Sequence, residues 1–314
     1  MKIMFFMDWL IALDYLEPIY LYLKKQHPNW DLSFAYGDTL SGDILKEKNY
    51  PIKDRGEEYD YSICCDKLSN CPKGNRIVVF HGISSKGQEF CVNDREVHST
   101  DISIVASKYY KKLYIEKDGA NPDKVIVGGM SKLDTITEIP KPNKIPKILY
   151  APTHNLPLSS MPILGSDIYK INNLKVHLHF YTKHSLEKIH KEFNSLYNKQ
   201  EEQTDITQLM LESDIVIADL GSVVLEALAL GKMVIQVKNP EHLDWYKKKT
   251  TTPVDELPEV DIPNRFAFQA TSVDEIKEII KKYPNYKKPD FAIVENIGHY
   301  KVSKIIDTII KEAS

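Results

Sequence analysis

The chain has 314 residues, enough for two domains of ordinary size. Hydrophobic residues make up 42% and charged residues 27%, the composition of a globular protein in which both halves can bury a core. The formal net charge of -3 excludes a global basic field of the kind that attracts nucleic acid. No apolar run reaches the roughly 20 residues that a transmembrane helix needs.

Short apolar runs alternate with helical patterns in the first half, which is typical of parallel sheets with crossover helices. Strands are predicted at Ile3–Met7, Leu32–Tyr36, Tyr61–Cys65, Ile77–Phe80, Ile102–Ala106 and Lys124–Val127, and helices at Tyr15–Gln26 and Ser107–Lys117. The polar stretch Thr137–Lys147 then carries three prolines. Because proline disfavours helix at and just before its own position, this stretch predicts a linker.

The second half restarts the same alternation. Strands are predicted at Lys147–Tyr150, Lys175–Tyr181, Ile215–Ala218, Met233–Val237 and Phe266–Gln269, and helices at Leu186–Asn198, Ile206–Glu212, Val223–Leu230, Val273–Lys282 and His299–Glu312. The pattern predicts an α/β protein with two doubly wound, Rossmann-like domains, residues 1–140 and 141–314, facing a cleft. The last helix is expected to pack back on the N-terminal domain. Ligands of such sheets bind beyond the carboxyl ends of the strands.

Cysteine usage and the N-terminal sequence bear on the compartment. The four cysteines, Cys64, Cys65, Cys71 and Cys91, form no CxxC pair, and the N-terminal apolar run is interrupted by Asp8. These features predict free thiols in a reducing cytoplasm. Two lysine-rich stretches, Tyr246–Thr250 and Lys281–Pro289, are expected to be solvated faces, with contact to an anionic membrane surface as the alternative.

The stretch ADLGSVVLEALALG, residues 218–231, predicts a strand, a tight turn at Asp219 and a helix. Ser222 is placed as the N-cap, and Gly221 allows a ligand to approach the backbone closely. The free N–H groups at such a helix start suit phosphate, and Glu226, one turn in, could accept hydrogen bonds from ribose hydroxyls. In the alternative interpretation the stretch is an ordinary capped helix and Glu226 faces solvent.

Histidines end two of the predicted strands. His81 and Gly82 follow the Ile77–Phe80 strand, and Lys86 adds a positive charge. A histidine there can take a proton at neutral pH, although it could equally cap a polar turn. His177 and His179 alternate along another predicted strand, with His177 expected in the core and His179 at the cleft. No acid or cysteine with ligand spacing joins them, so no metal site is predicted.

Two further motifs follow predicted strands. LYAPT, residues 149–153, is followed by His154, so that Thr153 and His154 are expected at the cleft. GGMSKLD, residues 128–134, lies just past a strand of the first domain. The sequence has no GxGxxG, Walker A or DxD motif, so these common signatures of nucleotide and metal sites do not assign the chemistry.

Taken in order, these motifs resemble the CDP-glycerol glycerophosphotransferase family, whose members build teichoic-acid-type polymers and related capsules. The matching elements are HG-x-x-x-K (His81, Gly82, Lys86), G-x-x-x-x-D (Gly129 to Asp134), LYAPT, a strand ending in His179, and D-x-x-S (Asp219, Ser222). The chain departs from the family at three places. Leu220-Gly221 replaces Tyr-Ser, His154-Asn155 replaces Trp-Arg, and Glu226 stands where Asp is common.

The resemblance implies a GT-B-like fold with an N-terminal acceptor-side domain and a C-terminal donor domain. By position, His81 matches the base on the acceptor side, and His179 matches a second catalytic group that holds the donor pyrophosphate. The expected donor-binding residues are Gly82, Lys86, Thr153, His154, Asp219, Gly221, Ser222 and Glu226.

The function implied is transfer of a glycerol-phosphate-type group from a CDP-activated donor to an acceptor hydroxyl on a glycan, lipid-linked or polymer substrate. No cofactor, metal or nucleic-acid partner is expected, and the location implied is the cytoplasm, with peripheral contact at the inner face of the membrane. The length favours single addition over processive polymerisation. Three alternatives stay open: a GT-B glycosyltransferase using a nucleotide sugar, a nucleotide-sugar 2-epimerase, and a non-catalytic nucleotide-binding subunit.

Overall fold

The computed structural model describes residues 1–65, 71, 75–79, 102–154, 158–179, 205–238, 240–248 and 253–312. The described chain divides into two compact units. The first contains residues between 1 and 138 together with the C-terminal segment 294–312, and the second contains residues between 139 and 293. Each unit is built around one parallel sheet.

The first unit holds a six-stranded sheet with the order β2-β1-β3-β4-β5-β6. Its strands are β1 (Lys2–Met7), β2 (Asp31–Tyr36), β3 (Tyr61–Cys65), β4 (Asn75–Val79), β5 (Ile102–Val105) and β6 (Val125–Val127). All neighbouring strands are parallel. Helices cover both faces of such a sheet, which explains why β1 and β3 are nearly continuous apolar runs with almost every residue buried.

The second unit holds a five-stranded parallel sheet with the order β11-β10-β9-β7-β8. Its strands are β7 (Ile148–Ala151), β8 (Leu174–Val176), β9 (Ile215–Ala218), β10 (Met233–Val237) and β11 (Phe268–Ala270). Strands β7, β9 and β10 are buried at every position. Strand β8 is shorter than predicted. His177, whose N–H donates to the Tyr150 carbonyl at 2.9 Å, and His179 therefore follow the strand instead of alternating along it.

Ten α-helices are described, and short 3-10 turns connect them. The helices are α1 (Leu13–Gln26), α2 (Thr39–Glu47), α3 (Lys108–Asp118), α4 (Met161–Leu164), α5 (Ile206–Glu212), α6 (Ser222–Ala229), α7 (Pro240–Lys247), α8 (Pro258–Phe266), α9 (Val273–Ile280) and α10 (Lys301–Glu312). The 3-10 turns are Leu10–Ala12, Pro122–Lys124, Ser131–Leu133, Gly165–Lys170, Val254–Glu256 and Tyr283–Asn285. The predicted helix Leu186–Asn198 lies outside the described residues.

The predicted strand Phe266–Gln269 is wrong at its start, because Phe266 ends α8 and β11 begins at Phe268. Helix α8 was not predicted from the sequence because the helix contains two prolines. Pro258 occupies its first turn, where no N–H donor is needed, and Pro263 lies inside it. Val260 and Ile262 are buried. Tertiary packing of these side chains therefore overrides the low helix propensity of the two prolines.

The linker is irregular, as predicted, and its end is held at the start of the second sheet by Asp214. The Asp214 carboxylate accepts hydrogen bonds from the backbone N–H of Asn143 at 3.0 Å and of Lys147 at 2.9 Å, and from the Asn143 side chain at 2.9 Å. Burial alone would raise the pKa of Asp214, but these donors outweigh it and lower the pKa. Asp214 therefore remains charged and fixes the point where β7 begins.

The C-terminal segment belongs to the first unit, where the G-x-x-x-x-D motif holds it. Asp134 is fully buried and accepts hydrogen bonds from the N–H of Val302 at 2.9 Å and from the N–H and hydroxyl of Ser303 at 2.8 and 2.6 Å. These are the first residues of α10, so Asp134 caps that helix. Gly129 has φ +105, and a Cβ there would lie 2.4 Å from the Glu295 carbonyl oxygen. This motif is therefore structural.

The prediction that all the thiols are free is wrong for two of the four cysteines. Cys64, at the end of β3, and Cys71 form a disulfide, with their Cα atoms 6.7 Å apart. The two residues are seven positions apart in the sequence, and the absence of CxxC did not reveal that they are close in space. Cys65 is free and buried, and burial raises the pKa of its thiol. Cys91 lies outside the described residues.

Among the helices that the structure describes, none combines the length and apolar character required to cross a bilayer.

Candidate functional site

Three neighbouring strands of the second sheet end at the same edge. Strands β8, β7 and β9 are adjacent and parallel, with Tyr150 paired to Val176 and Ala151 paired to Ala218. The segments that follow them, residues 152–154, 177–179 and 219–221, therefore emerge together. Because ligands of doubly wound sheets bind beyond the carboxyl ends of the strands, this edge is the candidate site.

Asp219 joins two of these segments. It is only 2% exposed, and its Oδ2 accepts a hydrogen bond of 2.7 Å from the backbone N–H of Thr153. Burial raises the pKa of Asp219 to about 7, although the hydroxyl and N–H of Ser160 and the N–H of Thr153 favour the charged form. The carboxyl group at the end of β9 therefore exchanges its proton near neutral pH.

The buried side chains of Tyr150 and Ser160 lie next to Asp219. The Tyr150 hydroxyl lies 2.8 Å from the Ser160 hydroxyl, and both side chains are fully buried. Burial, with the nearby Asp219 charge as a smaller cause, raises the pKa of Tyr150 well above its ordinary value, so the phenol stays neutral. Neither residue was predicted from the sequence to belong to the site. The only available signals were the tyrosine inside LYAPT and the Ser159-Ser160 pair before α4.

His154 and His179 meet above this edge. Their ring centroids are 4.4 Å apart and their planes are tilted by 32°. The two residues are 25 positions apart in sequence and follow adjacent strands, so the contact depends on the strand order of the sheet. The structure thus brings together two of the residues that the motifs singled out.

Helix α6 begins three residues after Asp219, and its first residue differs from the prediction. Gly221, with φ 171 and ψ -178, is the N-cap, and Ser222 is already the first helical residue. The prediction of Ser222 as N-cap is wrong, because the extended backbone ends one residue earlier. Gly221 has no side chain with which to cap the helix, and a Cβ added there would meet nothing within 4 Å. The helix start is therefore open, with N–H groups and a positive dipole end that suit an anion.

Glu226 lies one turn into α6, four residues after Ser222 and on the same side of the helix. Its side chain is 1% exposed, so the alternative in which it faces solvent is wrong. Nearly all the other residues of α6 are apolar, so the Glu226 carboxyl is a buried polar group among hydrophobic side chains. Such a group needs a polar partner.

The other predicted site residues are not all visible at this edge. His81, Gly82 and Lys86 lie outside the described residues, and β4 ends at Val79, two residues before His81. Thr153 contributes its N–H to Asp219. Within the described ranges, no three His, Cys, Asp or Glu side chains are grouped so that they could hold a metal ion.

Sequence comparison finds no family model that matches the chain and no curated protein that matches it. Comparison of structures does find similar chains. A structure of the wall teichoic acid polymerase TagF has a TM-score of 0.68 at 16% identity, over 99% of this chain and 89% of that one.

Two epimerase structures are also similar. UDP-GlcNAc 2-epimerase from Neisseria meningitidis, bound to UDP-GlcNAc, has a TM-score of 0.63 at 16% identity, over 99% of this chain and 100% of that one. A putative UDP-N-acetylglucosamine 2-epimerase from Listeria monocytogenes has a TM-score of 0.58 at 13% identity, over 99% of this chain and 96% of that one. At these identities the likeness shows the fold. The predicted α/β, GT-B-like fold with two Rossmann-like domains is confirmed.

Proposed function

We propose that the chain is a transferase that moves a glycerol-phosphate-type group from a CDP-activated donor to an acceptor hydroxyl. One observation carries this proposal. The Asp219–Thr153 hydrogen bond joins the segment that leads into the open start of α6 to the segment that carries His154, and the His154 ring contacts His179. A helix start without a side-chain cap, next to two imidazoles, suits a diphosphate.

In the proposed reaction the acceptor oxygen attacks the β-phosphorus of the donor. The bond from that phosphorus to the bridging oxygen breaks, CMP leaves, and the acceptor proton passes to His81. His179, the backbone N–H groups at Gly221 and Ser222, and Lys86 neutralise the diphosphate charge. In phosphoryl transfer most of the catalysis is positioning and charge stabilisation, which these groups can supply. Glu226 accepts hydrogen bonds from the ribose hydroxyls.

The proposal assigns the first unit, which includes the C-terminal segment 294–312, to the acceptor and the second unit, residues between 139 and 293, to the donor. In this proposal Gly82, Thr153 and His154 belong to the donor-binding residues. The acceptor is a glycan, a lipid-linked molecule or a polymer, and the enzyme works in the cytoplasm with peripheral contact to the inner face of the membrane. TagF supports this choice, because it combines the same fold with polymerisation of a wall teichoic acid.

A second candidate is an enzyme that uses a UDP-sugar, either a glycosyltransferase or a 2-epimerase. Two observations favour it. The epimerase from Neisseria meningitidis has the same fold and binds UDP-GlcNAc. The turn here also reads Leu220-Gly221 and is followed by the buried Glu226, unlike the phosphotransferase family's Tyr-Ser turn and its usual Asp.

Thermal unfolding with CMP, CDP and UDP is the first test. A nucleotide at 100 times its dissociation constant stabilises the folded protein by about 2.7 kcal/mol, so the nucleotide that raises Tm identifies the donor. We expect CMP and CDP to raise Tm more than UDP. If only UDP raises it, the second candidate replaces the first.

Mass spectrometry of products after a donor screen is the second test. Release of CMP indicates phospho-transfer, UDP with a new glycoside indicates glycosyl transfer, and an isomerised sugar indicates an epimerase. We expect His81→Ala and His179→Ala each to abolish CMP release with the fold intact, and near-wild-type turnover would remove that residue from the mechanism. Tight binding without turnover on any acceptor would instead indicate a non-catalytic subunit.

A further inference from the structure

We infer that His154 and His179 form one protonation unit, which shares a single proton in the free protein and carries two when a diphosphate is bound. The inference rests on the proposed function, because that function supplies the diphosphate. It concerns a position where this chain has its own residue, since the resembling family has Trp-Arg at 154 and 155.

The geometry is the starting observation. The two imidazole rings are 4.4 Å apart between centroids and tilted by 32°, and both side chains are half-buried. Two positive charges this close, partly withdrawn from water, repel each other, so protonation of one ring lowers the proton affinity of the other. The protons of such a pair are bound in two separate steps that belong to the pair. Near neutral pH the free pair therefore holds no more than one proton.

A diphosphate at the start of α6 changes this balance. Its negative charges favour both imidazolium forms at once, whereas the N–H groups and dipole at the helix start offer only a fraction of one positive charge. The second proton then enters the pair with the ligand. His154 thereby adds a positive charge to that of His179, while its ring stays in contact with the His179 ring.

Other titratable groups lie on the strands, segments and helix at this edge of the sheet. The Asp219 carboxylate accepts a hydrogen bond from the N–H of Thr153, which is next to His154 in sequence. The others are Tyr150, which is hydrogen-bonded to Ser160, His177, which follows β8, and Glu226 on α6. Tyr150 remains neutral because burial raises its pKa. Asp219, with a pKa of about 7, changes charge in the same range as the histidines and must be separated from them experimentally.

The test is an NMR titration of the full chain with ¹³C-labelled histidines, without and with CDP or UDP. Signals are assigned with His154→Phe and His179→Phe, which keep a flat ring in each position. In the free wild-type protein we expect two separate steps, the lower one about one pH unit or more below the ordinary histidine pKa of about 6.5. In His154→Phe, His179 should return to a single ordinary step. The nucleotide should raise both wild-type steps.

Asp219→Asn is the matched control, because it keeps an acceptor for the Thr153 N–H and removes the titrating carboxyl. The separation between the two histidine steps should persist in it. Independent titration of the two rings in the free protein, or an unchanged His179 step in His154→Phe, would overturn the inference. Two separate steps that neither CDP nor UDP moves would overturn the diphosphate-linked proton and the proposed donor site, while leaving the coupling of the rings established.

Discussion

Two buried aspartates, one in each unit, have different surroundings, although both follow parallel strands: Asp219 comes directly after β9, and Asp134 ends the 3-10 turn that follows β6. Asp134 accepts three hydrogen bonds from Val302 and Ser303 at the start of α10. Asp219 precedes the start of α6 but does not cap it. Its carboxylate instead accepts a 2.7 Å hydrogen bond from the N–H of Thr153, in the segment that follows the neighbouring strand β7. Burial raises the pKa of both carboxyl groups.

The two helix starts differ in whether protein groups accept hydrogen bonds from their first N–H groups. At α10 the N–H groups are satisfied by protein, so no anion is needed there and the aspartate stabilises the fold. At α6 the N-cap is a glycine with open space in front of it. Both aspartates belong to motifs that resemble one enzyme family. Their partners show that one motif anchors the C-terminal segment, whereas the other precedes a helix start that no side chain caps.

Replacing each aspartate by alanine is expected to give the largest difference between the two helix starts. Asp134→Ala leaves two buried N–H groups and a hydroxyl without an acceptor, and should lower the free energy of unfolding by about 3 kcal/mol. Asp219→Ala should cost about 1 kcal/mol but remove most of the Tm increase caused by the nucleotide. Urea unfolding and nucleotide-dependent Tm measure the two effects. Equal losses of stability in both variants would make both aspartates anchors.

A glycine pair sharpens the same comparison with a smaller effect. Gly129→Ala forces a side chain onto φ +105 and places Cβ 2.4 Å from the Glu295 carbonyl, so it should destabilise the protein by about 2 kcal/mol. Gly221→Ala keeps an extended backbone that any residue adopts and should stay within about 0.5 kcal/mol of wild type.

Gly221→Ala should nevertheless weaken nucleotide binding about tenfold, because the methyl group enters the space in front of α6. Calorimetric titration with CDP and UDP measures this loss. Unchanged binding would show that the ligand does not approach the α6 start.

The remaining effect is a slope of stability with pH. The folded pKa of Asp219, about 7, lies above its ordinary value of 3.8, so the folded protein keeps this proton to higher pH than the unfolded chain. Stability from the protonated carboxyl is complete below the ordinary value and is lost as pH rises toward about 7, by at most about 1.4 kcal/mol per pH unit.

Asp219→Asn should therefore gain stability relative to wild type as pH rises from about 5 to about 7, with no further gain above that. Urea unfolding at several pH values measures the difference. Asp134 is present in both proteins, and its contribution cancels. Parallel stability curves for the two proteins would mean that Asp219 keeps an ordinary pKa.

Much of the architecture could be predicted from local pattern. The bounds of β3, β9 and β10 agree with prediction because each is a short apolar run buried on both faces and followed by a polar residue, a glycine or a loop. Helix α8 could not be predicted, because two prolines make its pattern resemble a loop and only its buried residues reveal it. The disulfide of Cys64 likewise depends on the closeness of Cys71 in space, which no local pattern indicated.

By itself the sequence determined the alternation of strands and helices, the proline-rich linker, and the rule that polar residues after parallel strands gather at one edge. These depend on periodicity and on backbone chemistry within a few residues. Only the tertiary structure decided that His154 contacts His179, that the Asp219 carboxyl holds its proton to about pH 7, that Gly221 begins α6, and that Asp134 caps α10. Each of these depends on strand order or burial, which bring together residues far apart in the chain.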